Sequence, residues 1–170
     1  MYIIVTRTFP PELGGMQSLM WGLSREMSKN FMIKVFADYQ DNHIDFDEQT
    51  SFSIERVGGI KFLRKIRKAQ LINEFLKNNK VQGIFADHWK SLELIKTDKK
   101  KYCLIHGKEI NHPVGSSLNK RVVKILNNVE KVNGFTGFSS KNVETHMVLL
   151  CFRPKMLKNK WFYNVFTQKY

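Results

Sequence analysis

A loop rich in glycine and proline follows the first apolar run of the sequence, and its residue types suit contact with phosphate groups. In "TRTFPPELGGMQ", residues 6–17, two prolines and Glu12 precede Gly14 and Gly15. Glycine allows close backbone approach to a ligand, and the N–H groups at the start of a helix attract anions. We therefore expect Gly14 and Gly15 to face a diphosphate. An ordinary turn leading into a helix is the other interpretation of these residues.

A second polar loop, "HGKEINHP", follows the apolar run "YCLI". His106 comes directly after this run, where an imidazole can donate a hydrogen bond to a hydroxyl or phosphate near neutral pH, or cap local backbone. His106, Glu109 and His112 have a spacing that could suggest a metal. Gly107 and Pro113 interrupt a continuous helical face, so we predict no metal site.

The segment "IKFLRKIRKAQ" is basic and amphipathic, which suits an anionic membrane surface. Its cationic residues are Lys61, Arg64, Lys65, Arg67 and Lys68. At about 1 kcal/mol for each basic residue near such a surface, binding would be reversible and peripheral. A helix that covers the sheet and keeps a solvated basic face is the alternative.

The elements that must position these residues alternate between strand and helix patterns. Strands are predicted at Tyr2–Val5, Met32–Phe36, Phe52–Val57, Gln82–Ala86, in "YCLIHG" and at Val129–Val132. Helices are predicted at Met16–Ser28, Ile60–Asn78, Trp89–Ile95, Ser117–Asn127 and Lys141–Leu150, and "DYQDNHIDFDEQT" reads as an exposed loop. In the long helix one apolar stripe is expected at Phe62, Leu63, Ile66, Leu71, Ile72, Phe75 and Leu76. This alternation predicts an α/β, Rossmann-like, doubly wound and mainly parallel sheet with helices on both faces.

In such a sheet, ligands bind beyond the carboxyl ends of the strands, where the strand order reverses. If the order is 3-2-1-4-5-6, the loops after the first, fourth and fifth strands share that edge. The candidate carboxylates Glu12, Asp87 and Glu109 lie in these three loops. We expect the loops to converge on one site.

Composition sets broad limits on the class of protein. The chain has 170 residues, 42% of them hydrophobic, and a formal net charge of +13, which favours anionic partners. Cys103 and Cys151 form no CxxC pair and fit a reduced, cytosolic protein. The sequence contains no GxGxxG, Walker A or GxSxG motif, and we expect neither a signal peptide nor a transmembrane segment.

Several of these segments, in this order, resemble a known family. "FPPELGGMQ" after an N-terminal strand, "IHGKE" after a central strand and "KRVVKILNNVEKVNGFTGFSSKNVE" are similar to the N-terminal domain of family-four retaining glycosyltransferases of GT-B architecture. The resemblance covers residues 1–146. Residues 147–170 read as a basic, aromatic tail, either helical or an anomalous end to the chain.

The resemblance implies roles for individual residues. Gly14 and Gly15 would offer amides to the donor diphosphate, and His106 would be the catalytic residue near the transferred sugar. The acceptor-binding residues would be Glu12, Asp87, His88, Lys108 and Glu109. The resemblance implies no metal and no cofactor apart from a nucleotide sugar as co-substrate.

The function expected from the resemblance is transfer of a sugar from a nucleotide-sugar donor to a hydroxyl of a glycan or lipid-linked acceptor in cell-envelope glycan synthesis. The protein would then be cytoplasmic, or peripheral on the inner face of the cytoplasmic membrane. In the family, a second domain supplies most of the donor site. We therefore expect this chain to be a truncated product, a fragment or half of a split enzyme that needs a partner chain. The alternative is a noncatalytic Rossmann-like module that binds anionic membrane or nucleic acid through its basic face, with nucleic acid ranked below membrane.

Overall fold

The computed structural model describes residues 1–105, 113, 115–136 and 148–152, and the chain divides into two compact units, Met1–Lys100 and Lys101–Tyr170. In the first unit the elements are β1 (Tyr2–Val5), α1 (Gly15–Ser28), β2 (Ile33–Asp38), α2 (Ile44–Glu48), β3 (Ser53–Val57), α3 (Lys61–Asn78), β4 (Gly83–Ala86) and α4 (Trp89–Leu92). Strand β5 (Lys100–Ile105) starts at the boundary. It is followed by α5 (Ser117–Leu126), β6 (Lys131–Thr136) and β7 (Val148–Phe152).

The first unit is built on a parallel sheet with the order β3-β2-β1-β4. Tyr2 of β1 lies opposite both Ile33 of β2 and Gly83 of β4, so the three strands share one register. The order reverses between β1 and β4, because the chain moves outward to β2 and β3 before it returns to the other side of β1. The expected α/β, Rossmann-like fold is confirmed, and so is the expected order of these four strands.

The core of the first unit lies on both faces of β1. Ile3, Ile4 and Val5 are fully buried, as expected for a central strand covered on both sides. On the α1 face, the Trp21 ring packs edge-on against Phe46 with 5.0 Å between ring centroids. Phe46 belongs to α2, a short helix within the segment predicted to be an exposed loop. That prediction was wrong there because the aromatic contact stabilises a helical turn in an otherwise polar stretch.

The second unit contains a parallel pair, β5 and β6, and an antiparallel strand, β7, on β6. Helix α5 begins after Ser116, whose hydroxyl accepts a hydrogen bond from the N–H of Asn119 at 3.1 Å. The expectation of a helix ending at Leu150, and of a tail without strands, was wrong for Val148–Phe152, since its apolar sequence pairs with β6. Residues 141–147 and the remainder of the tail lie outside the described residues.

The apolar stripe predicted for α3 is wrong at four positions, since Phe62, Leu63, Ile66 and Leu71 are exposed. The residues that pack inward are Lys68, Ala69 and Ile72, whereas Phe62 is 79% exposed. No helix in the described ranges is both long and apolar enough to cross a membrane.

Candidate functional site at the carboxyl ends of β1, β2 and β4

Asp87 fixes the start of the loop after β1 to the end of β4. Its Oδ2 accepts hydrogen bonds from the Arg7 N–H at 2.8 Å and from the Thr6 hydroxyl at 3.1 Å. Its Oδ1 accepts from the Ser91 hydroxyl at 2.7 Å. The carboxylate is only 2% exposed, so these donors replace the water that a buried charge loses. Asp87 therefore holds the loop in place.

A second set of contacts fixes the middle of this loop. Phe9 is fully buried, and the Arg56 guanidinium lies over its ring, with 5.6 Å from Cζ to the ring centroid. Arg56 also donates to the Pro10 carbonyl at 2.5 Å and forms a two-point ion pair with Asp47, at 2.6 and 3.0 Å. Since the Arg56 side chain is only 4% exposed, the loop rests on a buried ion pair.

The loop after β1, which these contacts hold in place, leads to the start of helix α1, and this helix start is open. Gly14 is the N-cap of α1, and no side chain among the described residues caps the helix. The N–H of Ser18 is the donor to the Gly14 carbonyl, at 2.9 Å, so the amides of Gly15, Met16 and Gln17 precede the helical hydrogen-bond ladder. No heavy atom lies within 4 Å of the position that a Cβ on Gly15 would take. The first turn of α1 can therefore be approached closely by an anion.

An open polar pocket of about 470 Å³ adjoins this helix start, between the loops after β1 and β2. Its lining residues are Pro11, Glu12, Gln40, Asp41 and Asn42. Glu12 Oε2 accepts from the Gln40 amide at 2.7 Å and from the Gln17 amide at 3.5 Å. A carboxylate and amides at one opening are groups that bind hydroxyls, and their exposure leaves them accessible to a ligand.

A buried lysine lies beneath the site. The Lys68 ammonium donates to the Thr6 carbonyl and to Asp38 Oδ1, both at 2.5 Å. Desolvation by burial lowers the pKa of Lys68 below its usual value, and the neighbouring Asp38 carboxylate only partly opposes this shift. Lys68 thus joins α3 to the ends of β1 and β2.

His88 is buried next to Asp87 and begins α4. Its Nδ1 accepts a hydrogen bond from the Lys90 N–H at 3.0 Å, so a neutral ring carries its proton on Nε2. The ring also packs at a tilt against Trp89, with 5.5 Å between centroids. These contacts give His88 a helix-capping role at the same sheet edge.

The structure thus brings part of the predicted site together. Glu12, Gly14, Gly15, Asp87 and His88 lie on the loops after β1 and β4, at the carboxyl edge of the parallel sheet. His106, Lys108 and Glu109, together with His112 of the rejected metal pattern, lie outside the described residues. Among the residues described, no cluster of His, Cys, Asp or Glu could hold a metal ion.

The basic face predicted for α3 is wrong at one residue, Lys68. Lys68 is only 4% exposed and cannot contact an external surface, because its ammonium is paired inside the fold. Lys65 forms an ion pair with Glu93, and Arg64 lies 3.4 Å from Asp38. Lys61 and Arg67 are exposed.

Sequence reasoning missed three residues that shape the site, Asp38, Gln40 and Arg56. A signal existed for Asp38, which ends β2 at the carboxyl edge as Asp87 follows β4. Nothing in the spacing of Gln40 or Arg56 indicates that they meet Glu12 and Pro10, since these contacts span 28 and 46 residues.

A larger groove of about 960 Å³ runs between β3 and α3. Its lining mixes Arg67 and Lys77 with Glu74 and several amide side chains. Because ligands of doubly wound sheets bind beyond the carboxyl ends of the strands, the smaller pocket, which lies between the loops after β1 and β2, is the stronger candidate.

The fold of this chain is similar to that of a protein of known structure. No protein-family model matches the sequence, and no curated protein is significantly similar to it. Among solved structures, the crystal structure of Anabaena Alr3699/HepE in complex with UDP is similar, with a TM-score of 0.53 and 13% sequence identity. The match covers 77% of this chain and 36% of that chain, so this chain spans little more than a third of the length of that protein. At this identity the likeness shows the Rossmann-like α/β fold.

Proposed function

We propose that this chain is the acceptor-side, N-terminal half of a GT-B glycosyltransferase that uses a nucleotide sugar. One observation carries the proposal: the open start of α1 and a polar pocket between the loops after β1 and β2 lie together at the carboxyl edge of the parallel sheet. The sequence motifs support it, and so does the fold of a protein whose crystal structure contains UDP.

The backbone of α1 would contact the diphosphate of the donor. The amides of Gly15, Met16 and Gln17 offer donors, and the helix dipole adds about 0.3–1 kcal/mol for an anion at this position. Such a small contribution orients the diphosphate, while most of the donor affinity comes from a second domain in the resembling family.

The pocket next to α1 would bind the hydroxyls of a glycan or lipid-linked acceptor. Glu12 has an exposed carboxylate there, and Gln40 holds it through one oxygen. We assign Asp87 a positioning role, because donors in the β1 loop and α4 bond to its carboxylate. His106 stays the proposed group near the transferred sugar, with Lys108 and Glu109 beside the acceptor, on the basis of the sequence resemblance.

Binding of UDP to the wild-type chain and to two tryptophan variants tests the proposal. Gly15→Trp places a ring over the first turn of α1, where there is room for it, so the fold should persist. Gly22→Trp is the matched control, since Gly22 also has open space and lies two turns along the same helix, about 10 Å away.

We expect ligand-observed NMR to detect UDP binding to the wild-type chain and to Gly22→Trp, and a loss of about tenfold in affinity for Gly15→Trp. Equal UDP affinity in both variants, or no UDP binding by the wild-type chain, would contradict the role of the α1 start. Circular dichroism of each variant confirms that the fold is retained.

A further inference from the structure

The first two turns of α3 expose apolar side chains on the side away from the sheet. Ile60 is 72% exposed, Phe62 79%, Leu63 41% and Ile66 38%. Residues three or four apart are neighbours on a helix, so Ile60 adjoins Leu63, and Ile66 adjoins Leu63 and Phe62. We call these four residues the α3 apolar patch. Single exposed apolar residues are ordinary, but adjoining ones mark an interaction surface.

Cationic side chains surround the α3 apolar patch. Lys61 and Arg67 are exposed, and neither forms an ion pair with another described residue. The guanidinium of Arg64 donates to the Gly59 carbonyl at 3.0 Å, and Nη1 of Arg67 lies 2.5 Å from where a Cβ on Gly59 would be. No acidic residue occurs between positions 60 and 73. The start of α3 is therefore both apolar and uniformly positive.

The chemistry of the patch favours a lipid surface over nucleic acid. Proteins that bind single-stranded nucleic acid interleave cations with several aromatic rings, on which bases stack. Here Phe62 is the one aromatic residue of the patch, and Ile60, Leu63 and Ile66 are aliphatic. Aliphatic side chains flanked by Lys and Arg are typical of helices that lie at the boundary between headgroups and acyl chains.

We propose that the start of α3 docks the protein on an anionic lipid membrane, with the α3 apolar patch in the interface and Lys61 and Arg67 at the headgroups. Compared with the five cations indicated by the sequence, this surface omits the buried Lys68, the Lys65 that pairs with Glu93 and the Arg64 that pairs with Asp38. It adds apolar residues that the periodicity had placed against the sheet. The docking surface is independent of nucleotide binding, so a chain that binds vesicles and not UDP would uphold it.

Co-sedimentation with vesicles tests the proposal. At low salt we expect the wild-type chain to bind vesicles containing phosphatidylglycerol and not vesicles of phosphatidylcholine alone. The double variants Phe62→Ser/Leu63→Ser and Lys61→Glu/Arg67→Glu should each lose at least about tenfold in the partition coefficient. All four residues are solvent-exposed, so the variants should fold, and circular dichroism verifies this.

The matched control is Lys77→Glu/Lys80→Glu, which changes net charge equally at the other end of α3, where both lysines are exposed. It should keep vesicle binding within about twofold, because distant surface charges are largely screened by salt. Equal losses in the control would show a nonspecific effect of net charge and overturn the proposal. Absence of wild-type binding, unchanged binding by the two patch variants, or complete displacement of the protein from vesicles by a short RNA would overturn it as well.

Discussion

The chain contains two glycine pairs in similar settings, and the structure gives them different surroundings. Gly14–Gly15 and Gly58–Gly59 each lie where the chain passes from a parallel strand, through a loop or turn, into a helix of more than three turns. Both therefore lie at the carboxyl edge of the same sheet. From sequence alone, either pair could open an anion-binding helix.

The first pair follows a loop held by buried contacts, and the uncharged Gln17 side chain lies over Gly14 while Gly15 is clear. Asp87 and Arg56 fix the loop, and open space surrounds Gly15. At the second pair, Gly59 has a φ of +98°, and the side chains of Arg64 and Arg67 fold back over it. Cations thus occupy the second helix start, whereas backbone amides are presented at the first. The first suits a small anion, and the second suits an extended anionic surface.

The largest effect is expected where the two regions meet, at Lys68. Lys68→Met removes one partner of a buried ion pair and the donor to the Thr6 carbonyl, so we expect a loss of about 3 kcal/mol in the free energy of unfolding. Urea denaturation measures it. A change as small as that of an exposed substitution such as Lys99→Met would contradict this link between α3 and the β1 loop.

The pH dependence of this effect has a defined sign. Burial lowers the pKa of Lys68 from 10.5, so between the lowered pKa and 10.5 the unfolded state binds more protons than the folded state. The contribution of Lys68 to stability therefore rises with pH in that window. We expect the difference in unfolding free energy between wild type and Lys68→Met to grow as the pH approaches 10.5. A difference that shrinks would show that the Asp38 ion pair outweighs desolvation.

Asp87→Ala is expected to cause the next largest loss in the free energy of unfolding. It leaves the Arg7 N–H and the Ser91 hydroxyl without their carboxylate acceptor, while the Thr6 hydroxyl keeps the Thr8 carbonyl, and this should cost about 2 kcal/mol in unfolding free energy. Asp98→Ala is the control, since that side chain is 86% exposed. Chemical denaturation of both variants checks this, and equal effects would remove Asp87 from its role in fixing the loop.

Gly59→Ala should cost about 1–3 kcal/mol, because a φ of +98° strains any residue with a side chain and the new methyl group meets the Arg67 guanidinium. Thermal unfolding measures the loss. A neutral result would indicate that the turn before α3 relaxes freely.

The smallest effect, of opposite sign, is expected for Gly15→Ala. Its added methyl group meets nothing within 4 Å, and alanine restricts the unfolded chain, so stability should rise by about 0.4–1 kcal/mol. The same thermal measurement compares the two alanine variants directly. If both glycines respond alike, the contrast between the two helix starts fails.

Much of the fold follows from local pattern. The apolar run of β1 and the helical periodicity of α1 place those elements almost at their observed bounds, since both depend on neighbours in sequence. The residues of α3 that face the sheet could not be predicted from neighbours in sequence. Lys68 is buried because its ammonium donates hydrogen bonds to Asp38 and to the Thr6 carbonyl. Each of these residues is about 30 positions or more away in the sequence. Phe62 is exposed although its spacing fits the apolar stripe, because the first two turns of α3 direct that stripe away from the sheet.

The sequence predicted the location of the candidate site but not the contacts that its residues make. The carboxyl edge near β1 and β4 follows from strand order, and Glu12, Gly14, Gly15 and Asp87 are found there. What each residue does depends on its partners. Asp87 was predicted to bind the acceptor, and the structure shows that it is buried and accepts hydrogen bonds from the β1 loop and α4.

Amide-resolved NMR of the chain during titration with UDP tests whether the diphosphate binds at the start of α1. We expect chemical-shift changes to concentrate on Gly14, Gly15, Met16 and Gln17, with affinity weak enough to be measured at about millimolar UDP. We expect no comparable changes at Gly58, Gly59 and the first turn of α3. Shifts concentrated at the start of α3, or equal at both glycine pairs, would contradict the assignment of the diphosphate to α1.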